Sequence, residues 1–242
     1  MEIKVMTYNI HHGVGIDKRL DLYRISEVIM KSNCDIIALN EVDKNFSKRS
    51  DYTDQIGWLA NQLNMDYAFA PSLSLKSNGS LPLREYGNAL LSRYSIITEK
   101  KHSFGILPWL LEGRSMLDTT IQINENKVNV NVTHLSLNPF LHRMQTSFMI
   151  NQLKDNPLPV IIMGDYNMKP GSSGWKKITN VFQDAWTIAG NGKGYTYSSL
   201  HRKSRLDYIF ADSRFEVLKA EVLTKHPEAS DHFPVKAHLR LY

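Results

Sequence analysis

Six places along the chain set a residue able to bind a metal ion or a phosphate beside an apolar, strand-like run. They are Asn9, Glu41, His134, Asp165 with Asn167, Asp207 inside 205–210, and the pair Asp231-His232 ahead of a final alternating segment. A carboxylate buried at such a place is costly unless a cation, a donor or water meets it. If the strand ends converge, they form a negative hole rimmed by histidine, asparagine and arginine. Such a hole suits hydrolysis at phosphorus: a water deprotonated on one side, an oxyanion leaving on the other, and donors to the phosphoryl oxygens. Each residue alone also has a plainer explanation. Asn9 suits a turn, Glu41 a strand end, and His134 a satisfied core histidine in phase with Val128, Val130 and Val132. Gly164-Asp165-Tyr166-Asn167 suits an ordinary turn and Ser230-Asp231-His232 an N-cap or turn. Together the plain explanations need six coincidences at strand ends.

Hydrophobic spacing predicts the elements that must position these residues. Segments 2–10, 35–42, 89–92, 128–132, 160–163, 206–210 and 235–241 read as strands. Helical stripes run through Leu22, Ile25, Val28 and Ile29, and through Ile56, Leu59, Ala60 and Leu63. A third helix is expected with Leu141, Met144, Phe148 and Gln152 on one side. A fourth is expected over 174–182, capped by Ser172 or Ser173, with Trp175, Ile178 and Phe182 inward. Segments 71–86 and 191–204 read as long loops. Strands interleaved with helices, several of them alternating, predict an α/β fold with sheets packed face to face. No linker interrupts the pattern, so one domain over 1–242 is expected. Segments 35–41 and 160–165 faintly match each other, both apolar and both ending in a carboxylate.

A chain of 242 residues supports one to two domains at ~150 residues each. Its 42% hydrophobic and 22% charged composition excludes a disordered protein. The apolar runs are far shorter than the ~20 residues of a membrane span, so no integral membrane segment is expected. No signal peptide is evident and Cys34 stands alone, which makes the cytoplasm the expected compartment. Lys plus Arg exceeds Asp plus Glu by 29 to 24, a net charge of +5 that suits anionic partners. No Cys/His cluster has the spacing of a structural zinc site.

Eight blocks, in order and over essentially the whole chain, carry a resemblance. They are Thr7-Tyr8-Asn9-Ile10, Ile37-Ala38-Leu39-Asn40-Glu41-Val42, Gly87-Asn88-Ala89-Leu90-Leu91-Ser92, Glu112-Gly113-Arg114, Val132-Thr133-His134-Leu135, Gly164-Asp165-Tyr166-Asn167, Arg205-Leu206-Asp207-Tyr208-Ile209 and Ser230-Asp231-His232-Phe233-Pro234-Val235. This set resembles the endonuclease/exonuclease/phosphatase superfamily. The resemblance implies a four-layer α/β sandwich, two packed and mainly antiparallel sheets flanked by helices, with metal-dependent phosphoester hydrolysis between the sheet tops. It implies Glu41 as the principal metal ligand, with Asn9 beside it and Asp231 contributing. Mg²⁺, with Mn²⁺ as the alternative, suits such oxygen ligands. It further implies His134 and Asn167 as a phosphate-contacting pair, Asp165 and His232 as acid/base groups, and Asp207 as the carboxylate that orients His232. Asn88 and Arg114 are expected to line the cleft and contact phosphate oxygens.

The chain departs from the family pattern at Asn40, where glutamine is usual, and at Ile10-His11-His12-Gly13 and Val42-Asp43. The last two point away from abasic-site repair nucleases, towards bacterial members of unassigned substrate and branches acting on lipid phosphodiesters. Two segments are candidates for substrate choice: the apolar stretch 104–111, and 191–205 with Lys193, Tyr195, Tyr197, His201, Arg202, Lys203 and Arg205. The expected function is therefore a monomeric, divalent-metal-dependent hydrolase of phosphoester bonds, phosphodiesters first, by activated water. A lipid headgroup or small phosphate ester stands ahead of nucleic acid as substrate. A DNA or RNA nuclease and a non-catalytic anion-binding module remain the competing readings.

Overall fold

The computed structural model describes residues 1–76, 82–104 and 113–242. Strand β1 (Glu2–Asn9) shows the rule that builds the molecule. Ile3 and Val5 face one buried layer while Met6 and Tyr8 face another, because successive side chains on a strand point to opposite sides. The chain continues through α1 (Leu22–Ser32), β2 (Ile36–Lys44), α2 (Gln55–Leu63), β3 (Asp66–Leu75), β4 (Arg84–Ser92), β5 (Ile96–Ser103), β6 (Ser115–Ile123) and β7 (Asn126–His134). There follow α3 (Pro139–Leu153), β8 (Val160–Asp165), α4 (Ser173–Thr179), β9 (Gln183–Asp184), α5 (Ala185–Ala189), β10 (Asp207–Ala211), β11 (Phe215–Val222) and β12 (Val235–Leu241).

These strands form two mixed six-stranded sheets, ordered β11-β12-β1-β2-β4-β3 and β5-β6-β7-β8-β10-β9. Each contains one parallel pair, β1 with β2 and β7 with β8, crossed over by α1 and α3 respectively. All other pairings are antiparallel. The two sheets therefore repeat one pattern, with β1, β2, β4 and β12 standing where β7, β8, β10 and β6 stand. The first and last strands close the pattern, and the Met1 ammonium donates to the Leu241 carbonyl at 2.9 Å. Between the sheets lies the largest apolar cluster, including Ile3, Val5, Ile36, Ala38, Val130, Val132, Ile161, Met163 and Ile209. A second cluster lies under α1 and α2, and a third under α3 and α4.

The expected strands and helices are present, with three corrections. Segment 71–86 is not one long loop: β3 runs to Leu75 and β4 starts at Arg84. Pro71 is accommodated because β3 is an edge strand with a bulge between Pro71 and Leu73, where a missing N–H breaks no ladder. The row expected on one side of α3 is split between its two sides. Leu141, Gln145, Met149, Ile150 and Leu153 are buried, whereas Met144 and Phe148 face out. The misreading arose because α3 is apolar on both sides, so two rows at helical spacing competed. Finally α4 ends at Thr179 rather than 182, with Ser172 as its cap, Trp175 only half-buried, and Phe182 reaching the core from beyond the helix. No helix among the described residues is long and apolar enough to cross a membrane.

Candidate active site

The inter-sheet face of each central strand is largely apolar up to its last rung, where a polar residue takes the same phase. Thus Ile3, Val5 and Thr7 lead to Asn9, Val130 and Val132 to His134, and Ile161 and Met163 to Asp165. Ile36 and Ala38 lead to Asn40, and Ala211 and Ile209 lead back to Asp207. Asn9 is level with Asn40, and His134 and Asp207 are both level with Asp165. Strand periodicity thus places the polar residues at one end of the inter-sheet layer.

Glu41 breaks that alternation and reaches the site by a bulge. Leu39 pairs with Ala89 and Val42 with Gly87, so Asn40 and Glu41 together oppose Asn88. Glu41 adopts a left-handed φ of 60° and its half-buried carboxylate meets Asn9, whose Nδ2 donates to Oε1 at 2.9 Å. The same Nδ2 donates to Asp165 Oδ2 at 3.2 Å. Asn9 Oδ1 accepts from the His11 amide at 3.0 Å, which fixes the orientation of its side-chain amide.

Asp165 is the meeting point of both sheets. Its Oδ1 accepts from the Asn167 amide at 2.9 Å. Its Oδ2 lies 3.5 Å from His134 Nε2 and 3.7 Å from His232 Nε2. Asn167 Nδ2 lies 3.1 Å from His134 Nε2 and donates to the Leu135 carbonyl at 3.0 Å. His232 Nδ1 sits 2.8 Å from Asp207 Oδ2, and its ring packs on Tyr197 with centroids 4.8 Å apart. The other oxygen of Asp207, buried, has no hydrogen-bond partner among the described residues.

Burial and the neighbouring Asp207 charge raise Asp165 above the usual carboxylate range, against His232 and the donors that lower it. Burial alone would depress His232, but the Asp207 charge and hydrogen bond, with Asp165 and Asp231, push it above the ordinary histidine value. His134 is driven the other way, well below that value, by burial and by the Arg114 and His232 charges. The two histidines are thus pushed in opposite directions, and the carboxylate between them towards higher proton affinity.

The predicted residues fall into three groups. Asn9, Glu41, His134, Asp165, Asn167, Asp207 and His232 converge through the contacts above. Asp231 flanks them, its Oδ1 lying 3.4 Å from Ser230 Oγ. Asn88 and Arg114 are buried: Asn88 Nδ2 donates to the Ser115 carbonyl at 2.9 Å, and the Arg114 charge acts on His134. Arg205, expected on a substrate rim, instead makes a buried two-pronged pair with Asp184 at 3.0 and 2.9 Å. Segment 105–111 and Glu112 lie outside the described residues.

Two contributors escaped the sequence reading. Asn40 was visible only as a departure from a family pattern, yet it ties the sheets together. Its Nδ2 donates to Asn88 Oδ1 at 2.8 Å and to the Thr133 carbonyl at 3.0 Å, and its Oδ1 accepts from the Asp165 amide at 2.9 Å. A lone amide in phase with Ile36 and Ala38 was the available signal. Ser230 anchors the loop carrying His232, its Oγ donating to the Asn9 carbonyl at 2.8 Å; a serine beside two ionisable residues gives no comparable signal.

The residues fit a hard divalent cation. Glu41 and Asp165 share a single neutral donor, and Asp165, Asp207 and His232 offer ligand atoms within 4.8 Å of one another. Within the second set, His232 already engages Asp207 by hydrogen bonding, which favours the Glu41 side for the ion.

The sequence matches the Endonuclease/Exonuclease/phosphatase family over residues 6–232. No curated protein sequence matches the chain. Among solved structures, an endonuclease/exonuclease/phosphatase from Beutenbergia cavernae is similar at 25% identity and a TM-score of 0.85, covering 99% of this chain and 72% of that one. A Bacteroides vulgatus endonuclease/exonuclease/phosphatase is similar at 20% identity and 0.81, covering all of both chains. A mannosyl-6-phosphatase from Bacteroides thetaiotaomicron is similar at 18% and 0.77, covering 99% of this chain and all of that one. With 227 consecutive residues matched and the fold in agreement, the chain belongs to the endonuclease/exonuclease/phosphatase family, whose members are generally phosphoester hydrolases.

Proposed function

We propose that this protein is a Mg²⁺- or Mn²⁺-dependent phosphoesterase that attacks a small or lipid-borne phosphate ester with water. The observation that carries the reading is the convergence on Asp165 of Asn9, His134, Asn167 and the His232–Asp207 pair, drawn from both sheets. Asp165 is the general base, because burial beside Asp207 makes its carboxylate a stronger proton acceptor than a solvated one. Asp207 holds His232 protonated and oriented through Nδ1, so that Nε2–H faces the space beside Asp165 and donates to a phosphoryl oxygen. His134 and Asn167 form a second polar pair beside that space, the Asn167 amide held by the Leu135 carbonyl. Glu41 and Asn9, with Asp231 beside them, would hold the metal ion, which when bound supplies charge stabilisation on the phosphoryl oxygens.

Hydrolysis of a chromogenic phosphodiester, a sugar phosphate, single- and double-stranded DNA, and phospholipid vesicles with either metal tests the proposal. The Bacteroides mannosyl-6-phosphatase supports including the sugar phosphate. Turnover is expected with metal, absent with chelator, and abolished in folded His232→Ala. Glu41→Gln is expected to weaken Mn²⁺ binding by more than ~tenfold in calorimetry. Full activity in both variants overturns the assignment.

A further inference from the structure

A helix lying on a sheet needs one apolar face, yet α3 has two. Its inner row is buried against the sheet. Its outer row, Phe140, Met144 and Phe148 at steps of four, is 68%, 41% and 36% exposed, the last with its ring packed edge-on against Phe104 and His102, and Leu137 just before the helix is 73% exposed. From Leu137 to Phe148 the row spans ~16 Å at ~1.5 Å per residue. It begins three residues after His134, at the end of the molecule where the site lies.

The cations beside this row have no acidic neighbours on their own elements. Arg143 lies on α3 and Lys176 and Lys177 on α4, which packs alongside: Lys177 Nζ donates to Ser147 Oγ at 2.7 Å. The sequence has no carboxylate between Glu125 and Asp155, nor between Asp165 and Asp184. A contiguous apolar surface bordered by uncompensated positive charge is the pattern of a helix that lies in a bilayer interface. A second copy of the chain fits less well, since a two-fold contact through this row would set the same cations against one another.

We infer that the outer face of α3, with the cations of α3 and α4, docks on an anionic lipid bilayer and presents the site to a phosphate ester carried at the membrane surface. The identity of the substrate rests on the phosphoesterase reading; the docking does not. Each cation is worth roughly fivefold in partition onto an anionic surface, and burying Phe140 roughly tenfold or more.

The test is co-sedimentation of the full chain with vesicles of phosphatidylcholine alone or mixed with phosphatidylglycerol, at low and high salt. Hydrolysis of a soluble chromogenic phosphodiester is followed in parallel. Binding is expected to the mixed vesicles, and to weaken at least ~tenfold on neutral vesicles or in high salt. Phe140→Ser and the pair Lys176→Glu/Lys177→Glu, all exposed positions, are each expected to cut it by ~tenfold or more while soluble hydrolysis is unchanged. Absence of binding to mixed vesicles overturns the inference, as does binding indifferent to both variants. A dimer that Phe140→Ser dissolves, without vesicle binding, also overturns it. Docking that responds as expected in a protein that cleaves no phosphoester keeps the inference and removes the phosphoesterase reading.

Discussion

Replacing Asn40 by leucine should be among the most damaging single changes in the molecule, although Asn40 is assigned no proton or phosphate. The side chain is fully buried, and leucine keeps its branching and its number of side-chain heavy atoms while removing its polar ends. What changes is pairing: the Asp165 amide and the Thr133 carbonyl lose the bonds that join the sheets, and Asn88 Oδ1 loses its partner on the neighbouring strand. A buried polar group left unpaired costs ~1–3 kcal/mol, so three of them sum to about 3–6 kcal/mol after partial relaxation. Against a total stability of ~5–15 kcal/mol, that is a large share. Asn40→Gln keeps the amide and adds one methylene, which should cost ~1–3 kcal/mol as overpacking. Urea denaturation of both variants decides the matter, read as a midpoint change at constant slope. The reasoning fails if the leucine variant lies within ~1 kcal/mol of the parent, or if glutamine is worse than leucine. In the second case side-chain length, and not hydrogen bonding, would govern this position. A cycle with Asn88→Ala should give a coupling above ~0.5 kcal/mol.

Gly164→Ala should destabilise by more than ~4 kcal/mol, because φ is +147° and a Cβ would sit 1.8 Å from the Thr133 carbonyl oxygen, a backbone atom with no easy escape. A parent-like urea midpoint would show that β7 and β8 separate more readily than their pairing indicates. The pH dependence of kcat/KM should be bell-shaped. Activity rises as Asp165 loses its proton, above the ordinary aspartate range, and falls as His232 loses its own, above the ordinary histidine range. Asp207→Asn withdraws the charge that keeps His232 protonated, so its alkaline limb should move to lower pH; an unmoved limb would remove Asp207 from that role.

The sequence exposed most of this arrangement because strand periodicity and site geometry are the same fact. Once Val128, Val130 and Val132 define an inward face, His134 is obliged to share it, and the same holds for Asp165 after Ile161 and Met163. Periodicity could not deliver Glu41, whose phase along β2 points it to the helix side. Only the two-for-one bulge opposite Asn88 returns it to the site, and a family resemblance was needed to anticipate that. The side of α3 that faces inward was equally hidden, since Leu141-Gln145-Met149 and Phe140-Met144-Phe148 are both apolar enough to serve. Arg205 looked like a rim cation because a sequence shows a charge without its partner. Asp184, twenty-one residues earlier, was the missing half.

The repeated pattern of the two sheets explains how such a site holds a carboxylate of raised basicity. Asn9 and Asn40 are level on β1 and β2 as His134 and Asp165 are level on β7 and β8. Asn88 opposes the β2 bulge as Asp207 opposes Asp165. At equivalent rungs, then, one sheet supplies three neutral amides and the other three titratable groups. Amides are the donors that can meet a buried carboxylate without a full opposing charge. Asn9 satisfies Asp165 Oδ2, and Asn40 braces the Asp165 backbone, while burial still raises the carboxylate's proton affinity. An arginine on the Asn9 rung would make a stronger bond and a weaker base, since an adjacent cation lowers a carboxylate pKa. Amides of the first sheet thus hold Asp165 in place, while the titratable groups around it come from both sides: His134 and Asp207 from the second sheet, and His232 from the segment ahead of β12 in the first.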